Sequence, residues 1–251
     1  MELLDLTLET PAANVALDET LLDEAEATEG SRETLRFWEP PLPFVVIGRS
    51  SQADREVRLD VCRQQRVPVL RRASGGTSVV AGPGCLMYAL VLSLELRPAL
   101  RSLDETHRFV LEMMALKLNE LIPGVYRQGT SDLALANRSH PLIPAGDAFR
   151  KFSGNSVRVK RRHVLYHGTL LYNFPLELIA DYLATPPRQP TYRAGREHGS
   201  FVVNFPASAG ALRKAITEAW QTEIARTDWP QARVHQLLAD KYGHPEWTIE
   251  V

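Results

Sequence analysis

Two arginines followed by a pair of glycines form the first segment whose residue types could do chemistry. Residues 71–77 read Arg-Arg-Ala-Ser-Gly-Gly-Thr. Adjacent glycines allow backbone N–H groups to approach an anion closely, and guanidinium groups neutralise its charge, so the segment predicts a phosphate site. The spacing matches neither a Walker loop nor a dinucleotide-binding fingerprint. The competing interpretation is a glycine hairpin whose arginines are solvated.

A lysine lies at the head of a β-prone segment, residues 150–155, which reads Arg-Lys-Phe-Ser-Gly-Asn. The ammonium of Lys151 is a compact charge that suits an acyl-phosphate oxygen, whose negative charge grows during nucleophilic attack. Asp132, on the preceding predicted strand, is placed to orient that ammonium. The competing interpretation is a surface lysine on a hairpin, since most lysines are exposed.

A histidine lies among apolar residues in the segment Tyr-His-Gly-Thr-Leu-Leu, residues 166–171. Such a histidine is either a hydrogen-bonded core residue or a catalyst. The 7 histidines show no HExxH pattern and the cysteines no CxxC pattern, so no protein-held metal is predicted. An ion would instead be Mg²⁺ carried by a nucleotide.

The 2 cysteines are the candidates for a thioester route. Cys62 lies inside a predicted helix and is expected to be structural. Cys85 follows the glycine turn at 82–84 and is better placed to face the same site as the arginine–glycine segment. The competing interpretation is that Cys85 is a small buried hydrophobic residue.

The elements that must position these residues follow from hydrophobic periodicity and from proline and glycine breaks. Helices are predicted at residues 14–25, 56–65, 103–121, 176–183, 211–225 and 232–241. Strands are predicted at residues 35–38, 44–48, 67–71, 86–94, 132–136, 151–157 and 164–172, the last two as a hairpin. Together they predict one α/β (α+β) domain over residues 1–251, with a mixed, largely antiparallel sheet flanked by helices.

A proline-rich segment at 185–198 interrupts this pattern and carries three arginines, Arg188, Arg193 and Arg196. Loops of this length in a compact domain are commonly functional, and arginines suit an anionic ligand, so the segment predicts a lid over the site. A solvated connection is the equally weighted alternative.

Composition limits the protein classes. The 29 Lys plus Arg balance 30 Asp plus Glu, a formal charge of −1, which excludes a globally basic nucleic-acid binder. The longest apolar run, at 86–94, has the length of a strand and not of a membrane span, and the N-terminus lacks the pattern of a signal peptide. Together with the low cysteine content, these features predict a cytoplasmic protein without membrane or nucleic-acid partners.

In chain order, these segments resemble the catalytic domain of the lipoate-protein ligase and octanoyltransferase family, which is related to biotin-protein ligase. The resemblance runs through NVALDETLL, LRFW, VVIGRSSQADREV, RRASGG, GPGCLMYAL, SDLAL, RKFSGN, HGTLLYNF, HGSFVVNF and KYGHPEW. It implies the biotin/lipoate-ligase fold and an enzyme that attaches lipoate or octanoate to a carrier-domain lysine. The implied donor is an acyl-adenylate, made from ATP with Mg²⁺ or supplied as lipoyl-AMP.

The resemblance also implies roles for individual residues. Lys151 matches the lysine that contacts the acyl carbonyl and the phosphate, with Asp132 near it. The other residues at substrate- or adenylate-binding positions are Arg72, Ser74, Gly75, Gly76, Thr77, Gly154, His167, Gly168 and Thr169. An apolar slot for the fatty chain is expected along strands 86–94 and 170–172.

Three departures from the family pattern bear on the chemistry. Thr77 replaces a third loop glycine, and Ala81-Gly82 replace a His-Asp pair, both where the nucleotide is handled. No cysteine occupies the positions used by octanoyltransferases, so a thioester route would need Cys85. The chain stops where many ligases continue into an accessory domain, so the large domain is expected to stand alone, with a separate accessory subunit as one option.

The implied partner is a lipoyl carrier domain, of a 2-oxoacid dehydrogenase subunit or a glycine-cleavage carrier protein. Such domains are often acidic around their lysine, so the basic turn at 158–163 predicts a docking contact, with a solvated hairpin tip as the alternative. The competing functions are octanoyl transfer from acyl carrier protein and a non-catalytic lipoate- or carrier-binding homologue. Biotin ligase chemistry ranks below both because its GRxxxQG-type loop is absent.

Overall fold

A computed structural model describes residues 1–28, 30–137, 148–222, 224–245 and 247–249. Within these residues the helices are α1 (Pro11–Ala27), α2 (Ala53–Glu56), α3 (Leu59–Gln65), α4 (Leu103–Leu121), α5 (Glu177–Tyr182), α6 (His198–Phe201), α7 (Ala209–Trp220) and α8 (Gln231–Leu237). The strands are β1 (Glu2–Asp5), β2 (Thr34–Trp38), β3 (Phe44–Ile47), β4 (Val69–Arg71), β5 (Val79–Ala81), β6 (Cys85–Ser93), β7 (Val125–Gln128), β8 (Asp132–Ala136), β9 (Phe149–Val159), β10 (His163–Leu171) and β11 (Ile224–Ala225).

The described strands form two sheets. The larger has the order β11-β1-β2-β6-β10-β9-β8-β7 and is antiparallel except for the pairs β11–β1 and β1–β2. The smaller has the order β4-β3-β5, with β3 parallel to β4 and antiparallel to β5. The predicted fold class, a mixed and largely antiparallel sheet flanked by helices, is confirmed, and so is the β9–β10 hairpin.

Strand β6 is buried along its whole length because both faces of the larger sheet are covered. Its even-numbered residues, Leu86 to Leu92, pack in a core with residues of α4 and α7. Its odd-numbered residues, Cys85 to Val91, pack in a second core with α1 and the smaller sheet. The two-residue repeat of a strand thus decides which β6 side chains point toward the smaller sheet, where the arginine–glycine segment lies.

Two predicted helix boundaries are wrong for identifiable reasons. Helix α1 begins at Pro11 and not at residue 14, because the side chain of Thr10 accepts the N–H of Ala13 and proline fits the first turn. The helix predicted at 211–225 ends at Trp220, where Gln221 adopts a left-handed conformation, and its last residues form β11.

Short elements account for most other differences. Strands β1, β5 and β7 lie outside the predicted strands, and at three or four residues each they are too short for alternation to show. The helix predicted at 56–65 is interrupted at Val57, which is extended and forms a bridge with Leu183. Helix α8 gives way to a π-helical turn at Leu238–Tyr242. No helix in the described part of the chain has the length and apolar character needed to cross a bilayer.

Candidate active site

A cavity separates the loop between β4 and β5, residues 72–78, from Lys151 on β9. Its volume is about 340 Å³. Val46, Val79 and Met87 give it an apolar side. The predicted site residues that line it are Arg72, Gly76, Thr77, Asp132, Lys151, Gly154, His167, Gly168 and Thr169. The structure therefore brings the three predicted segments together around one space.

Lys151 is held by a carboxylate at this cavity. Its Nζ lies 2.7 Å from Oδ1 of Asp132, a residue that is only 6% exposed. The second carboxylate oxygen accepts a 2.8 Å hydrogen bond from the hydroxyl of Tyr192. Because each carboxylate oxygen has a donor, Asp132 is fixed and anchors the ammonium beside the cavity. Tyr192 lies in the segment 185–198 and is a site residue that no sequence motif indicated.

The ammonium of Lys151 occupies space that is open because Gly154 has no side chain. A Cβ atom at Gly154 would lie 2.8 Å from Nζ and 3.0 Å from Cε of Lys151. Gly168, on the neighbouring strand, allows a still closer approach, since a Cβ atom there would lie 2.0 Å from Oδ1 of Asn155. Gly154 therefore makes room for the Lys151 side chain on β9, and Gly168 lets β10 pack closely against Asn155 of the same strand.

The guanidinium of Arg72 donates hydrogen bonds to its own loop. Its Nε donates to Ser74 Oγ at 3.1 Å, and its Nη2 donates to the carbonyls of Gly75 and Thr77. Its Nη1 approaches the carbonyl of Val46 at 3.4 Å. Burial lowers the pKa of Arg72 to about 10, which leaves the group charged at neutral pH. Arg72 is thus buried and engaged, and the interpretation of a solvated arginine is wrong for it.

Backbone N–H groups of the same loop remain available to an anion. Within the described residues, the N–H groups of Gly75, Gly76 and Thr77 donate to no acceptor. Gly76 has a φ of +86°, in the left-handed region that favours glycine. The carbonyl of Gly75 accepts a 2.7 Å hydrogen bond from Ser156 Oγ, which fixes the loop to β9. Unpaired N–H groups beside a left-handed glycine are the backbone feature that binds anions.

His167 is held by a buried series of polar contacts. Its Nε2 lies 2.6 Å from Ser74 Oγ, and its Nδ1 lies 3.1 Å from Oδ2 of Asp18. The other oxygen of Asp18 lies 2.6 Å from Nη1 of Arg36, whose side chain is fully buried. His167 is therefore a hydrogen-bonded residue that also lines the cavity. Ser74 is 1% exposed and contacts His167 and Arg72 without lining the cavity.

Asp18 and Arg36 are supporting residues that no sequence motif indicated. Asp18 lies in α1, beside Leu17 and within the NVALDETLL segment, and it is 3% exposed. An acidic residue on the apolar stripe of a helix is the signal that points to a buried charge pair. Its partner is 18 residues away on β2, a contact that only the packing of α1 on the sheet creates.

A smaller cavity, of about 90 Å³, shares Lys151, Gly154 and Thr169 with the first. Its apolar lining residues include Val79, Val80, Phe152, Leu171, Ile179, Leu183 and Phe201. The segment 185–198 contributes Pro186, Arg193 and His198 to this cavity, and Arg188, Gln189 and Pro190 to the larger one. The segment therefore forms part of the wall of both cavities, and its role as a lid stays a prediction.

Cys85 is fully buried and lies outside the lining of both cavities. Its Sγ contacts the sulfur of Met87 at 3.8 Å. Burial raises the pKa of the Cys85 thiol far above its ordinary value, and the nearby carboxylate of Glu39 adds to the effect. A raised thiol pKa means that the group is protonated at neutral pH, so the geometry favours the structural interpretation over the nucleophile.

We expect both cysteines of the folded protein to resist iodoacetamide at pH 8. Alkylation needs an accessible thiolate, whereas Cys62 and Cys85 are buried and burial raises the pKa of each. The measurement is the intact mass after a fixed labelling time. The same protein in denaturant is the control and should gain two adducts, and rapid labelling of Cys85 in the folded protein would contradict this assignment.

The basic turn at 158–163 lies far from Lys151, at the opposite end of β9. Lys160 pairs with Asp23, and the backbone and guanidinium of Arg162 donate to Glu26. Along the strand, residues 151 and 160 are separated by roughly 30 Å at about 3.3 Å per residue. The turn is packed against the acidic face of α1, so the geometry favours a structural turn over a docking contact beside Lys151.

Comparison with known proteins finds relatives along nearly the whole chain. The family model for the lipoyl protein ligase A/B catalytic domain matches residues 10–217. The octanoyltransferase LipM of Halalkalibacterium halodurans is 24% identical over 266 residues, which cover 95% of this chain and 95% of that protein. Four proteins named lipoate-protein ligase A, 28% to 31% identical, are longer, and the chain spans 35% to 54% of their lengths.

Two solved structures share the fold. A bi-partite lipoate protein ligase of Thermoplasma acidophilum, described together with its E2 lipoyl domain, gives a TM-score of 0.77 at 20% identity, over 98% of this chain and 94% of that chain. A lipoate-protein ligase A bound with ATP gives a TM-score of 0.74 at 22% identity, over 98% of this chain and 97% of that chain. Both agree with the mixed sheet flanked by helices.

Proposed function

Because the chain belongs to the lipoyl protein ligase A/B catalytic domain family, we propose that it attaches a lipoyl or octanoyl group to a lysine of a lipoyl carrier domain. The acyl donor in this proposal is an acyl-adenylate. The observation that carries the proposal is the cavity between Lys151 and the glycine loop. It has an apolar side that suits a fatty chain and two facing sets of donors that suit a phosphate ester.

The parts of an acyl-adenylate correspond to parts of this space. The acyl chain would lie against Val46, Val79 and Met87, and the carboxyl–phosphate anhydride would lie between Lys151 and the N–H groups of residues 75–77. The smaller cavity, which also reaches Lys151, would take part of the nucleoside. These placements extend the roles implied for Arg72, Ser74, His167, Gly168 and Thr169, with the first two shaping the loop and the other three lining the acyl side.

The reaction needs no covalent intermediate with the protein, because a carboxylic–phosphoric anhydride is already activated. The carrier lysine attacks the carbonyl carbon, the C–O bond to phosphate breaks, AMP leaves with the electron pair, and the attacking nitrogen loses a proton. Lys151 would stabilise the charge that grows on the carbonyl and phosphate oxygens. Asp132 and Tyr192 hold the ammonium in place beforehand, so that little reorganisation is needed.

ATP with Mg²⁺ is the proposed source of the adenylate, in line with the ATP-bound ligase of the same fold. Asp132 is the carboxylate among the described residues that line the larger cavity. Both of its oxygens already have donors, in Lys151 and Tyr192, so the ion would be held by the nucleotide phosphates and water and not by this carboxylate. The ion would neutralise phosphate charge while Lys151 and the loop orient the reacting groups.

The proposed acceptor is a lipoyl carrier domain of a 2-oxoacid dehydrogenase subunit or of a glycine-cleavage carrier protein. The Thermoplasma ligase of the same fold is described with an E2 lipoyl domain and is bi-partite. By analogy, we also propose a separate accessory subunit as a partner in adenylate formation. The partner would complete activation, whereas the transfer step would rest on Lys151 and the loop.

Octanoyl transfer from acyl carrier protein is the second candidate function. The LipM relative matches over 95% of both chains, which favours it. A thioester route through a cysteine is opposed by the burial of Cys62 and Cys85. Acyl carrier protein would therefore have to deliver octanoate without a cysteine intermediate.

Intact-mass analysis of a lipoyl domain tests the proposal. The domain is incubated with this protein in three separate reactions, containing lipoate with ATP and Mg²⁺, preformed lipoyl-adenylate, or octanoyl acyl carrier protein. We expect a lipoyl mass increase with the adenylate. An octanoyl increase in the third reaction alone would select the second candidate function, and no increase in any reaction would refute both.

We expect Gly154→Ala to lower the rate of transfer from lipoyl-adenylate by roughly tenfold to a hundredfold. The added methyl group overlaps Nζ and Cε of Lys151, so the flexible lysine moves and the ammonium leaves its place beside Asp132. The matched control is Gly210→Ala, where a Cβ atom meets nothing closer than Ser208 Oγ at 4.0 Å. Equal rates for the two variants would contradict the placement of the lysine.

A further inference from the structure

Residues 247–249 lie against the edge of β4 that does not pair with β3, next to the start of the glycine loop. The N–H of Ile249 donates to the carbonyl of Val69 at 3.1 Å, and Nε1 of Trp247 donates to the carbonyl of Arg71 at 2.7 Å. Arg71 is the last residue of β4 and is paired with β3 on its other side. The strand that leads into the loop is therefore held along both edges.

The side chain of Arg71 in turn holds a second loop, residues 48–51, against the glycine loop. Its Nη1 lies 2.9 to 3.1 Å from three carbonyl oxygens of this second loop. The hydroxyl of Ser51 donates to the carbonyl of Gly76 at 3.0 Å. A Cβ atom at Gly48 would lie 1.9 Å from that same carbonyl oxygen, so the two loops are in close contact. A shift of Arg71 would therefore be passed on to Gly76.

The indole of Trp247 is itself anchored to α1. Nζ of Lys241 lies 4.0 Å from the centroid of the indole ring and 2.7 Å from both carboxylate oxygens of Glu19 on α1. The hydroxyl of Tyr242 donates to the same carboxylate at 2.8 Å, and its ring packs edge-on against the indole. Trp247 thus connects a fixed point on α1 to the backbone of β4.

We propose that Trp247 is a positioning residue for the glycine loop, an inference that rests on the proposed function. Its indole N–H fixes the carbonyl of Arg71, Arg71 fixes the loop at 48–51, and that loop fixes Gly76 beside the N–H groups that would face the phosphate. Lys151 takes part in none of these contacts. Since the loop would hold the phosphate equally before and during the reaction, Trp247 governs the affinity for the adenylate and not the chemical step.

Trp247→Phe tests this role because it removes the indole N–H and keeps an aromatic ring for Lys241 and Tyr242 to contact. With saturating lipoyl domain, we expect the KM for preformed lipoyl-adenylate to rise about five- to tenfold, the size typical of one lost hydrogen bond, and kcat to stay within about twofold. The matched control is Trp229→Phe. Trp229 is half-buried and packs against the same core, and its indole N–H donates to no acceptor among the residues that the structure describes.

Amide hydrogen exchange gives a second readout that needs no ligand. The N–H of Arg49 connects the two loops by donating to the carbonyl of Ser74 at 2.8 Å. We expect this amide to exchange faster in Trp247→Phe, because the loop at 48–51 is then held less firmly, and to keep its rate in Trp229→Phe.

Each outcome decides the assignment. A higher KM at nearly constant kcat, together with faster exchange at Arg49, both confined to Trp247→Phe, supports it. An unchanged KM in an active variant, a fall in kcat at constant KM, unchanged exchange, or an equal rise in KM in Trp229→Phe overturns it. Absence of transfer by the unmodified protein would count against the proposed function, and exchange at Arg49 would then decide the role of Trp247 by itself.

Discussion

Replacing Lys151 with alanine is expected to slow transfer from preformed lipoyl-adenylate by about 100- to 1,000-fold. The reason is that Nζ of Lys151 is the one side-chain ammonium among the described residues that line the larger cavity, and Asp132 holds it there at 2.7 Å. When a donor stabilises charge that develops only in the transition state, its removal raises the activation barrier by the whole of that stabilisation. The measurement is the single-turnover rate of acylation of a lipoyl domain, followed by intact mass.

Lys214→Ala is the matched control for this loss. Lys214 lies on α7, and its side chain is 79% exposed, so the same change in charge is made away from the cavity. Because the Lys151 variant leaves the buried carboxylate of Asp132 without its cationic partner, its unfolding midpoint is measured alongside, and rates are compared only for folded protein. Undiminished transfer by a folded Lys151→Ala protein would refute its assignment as the catalytic residue.

Asp18→Ala is expected to lower the free energy of unfolding by about 3–5 kcal/mol. Arg36 is fully buried, and the carboxylate of Asp18 is its charged partner at 2.6 Å. Removing the carboxylate leaves an uncompensated guanidinium in the core and releases Nδ1 of His167. The measurement is urea unfolding, read as a shift in midpoint at constant slope.

Asp228→Ala is the control for this stability change. The side chain of Asp228 is 79% exposed, so its removal should change the free energy of unfolding by less than about 0.5 kcal/mol. A loss of similar size in both variants would show that Asp18 does not compensate a buried charge. Asp18→Asn separates charge from hydrogen bonding, because it keeps a carbonyl acceptor and removes the negative charge.

The chemistry-bearing segments could be predicted because their signals are local. A glycine pair after two arginines, and a lysine three residues before a glycine, each suggest phosphate chemistry within a few residues. The long elements β6 and α4 could be predicted because their signals extend over many residues. Strand β6 is a nearly continuous apolar run, and the apolar residues of α4 recur at helical spacing. Their placement then brought Lys151 and the loop to opposite sides of one cavity.

The supporting contacts could not be predicted because they depend on packing between distant segments. Tyr192 reaches Asp132 across 60 residues, and Asp18 reaches His167 across 149. The engagement of Arg72 by carbonyls of its own loop depends on the backbone path, which residue types do not fix. Local patterns thus indicate the candidate groups, whereas tertiary packing decides which of them are already engaged by neighbouring residues.

A crystal structure with a non-hydrolysable lipoyl-adenylate analogue, in which a sulfamoyl group replaces the phosphate, tests the central claim most directly. The quantity to measure is the distance from Nζ of Lys151 to the acyl carbonyl and sulfamoyl oxygens. We predict at least one distance of about 3 Å, with the acyl chain against Met87 and the loop N–H groups facing the sulfamoyl group. An analogue bound elsewhere, or a Lys151 side chain directed away from it, would contradict the account.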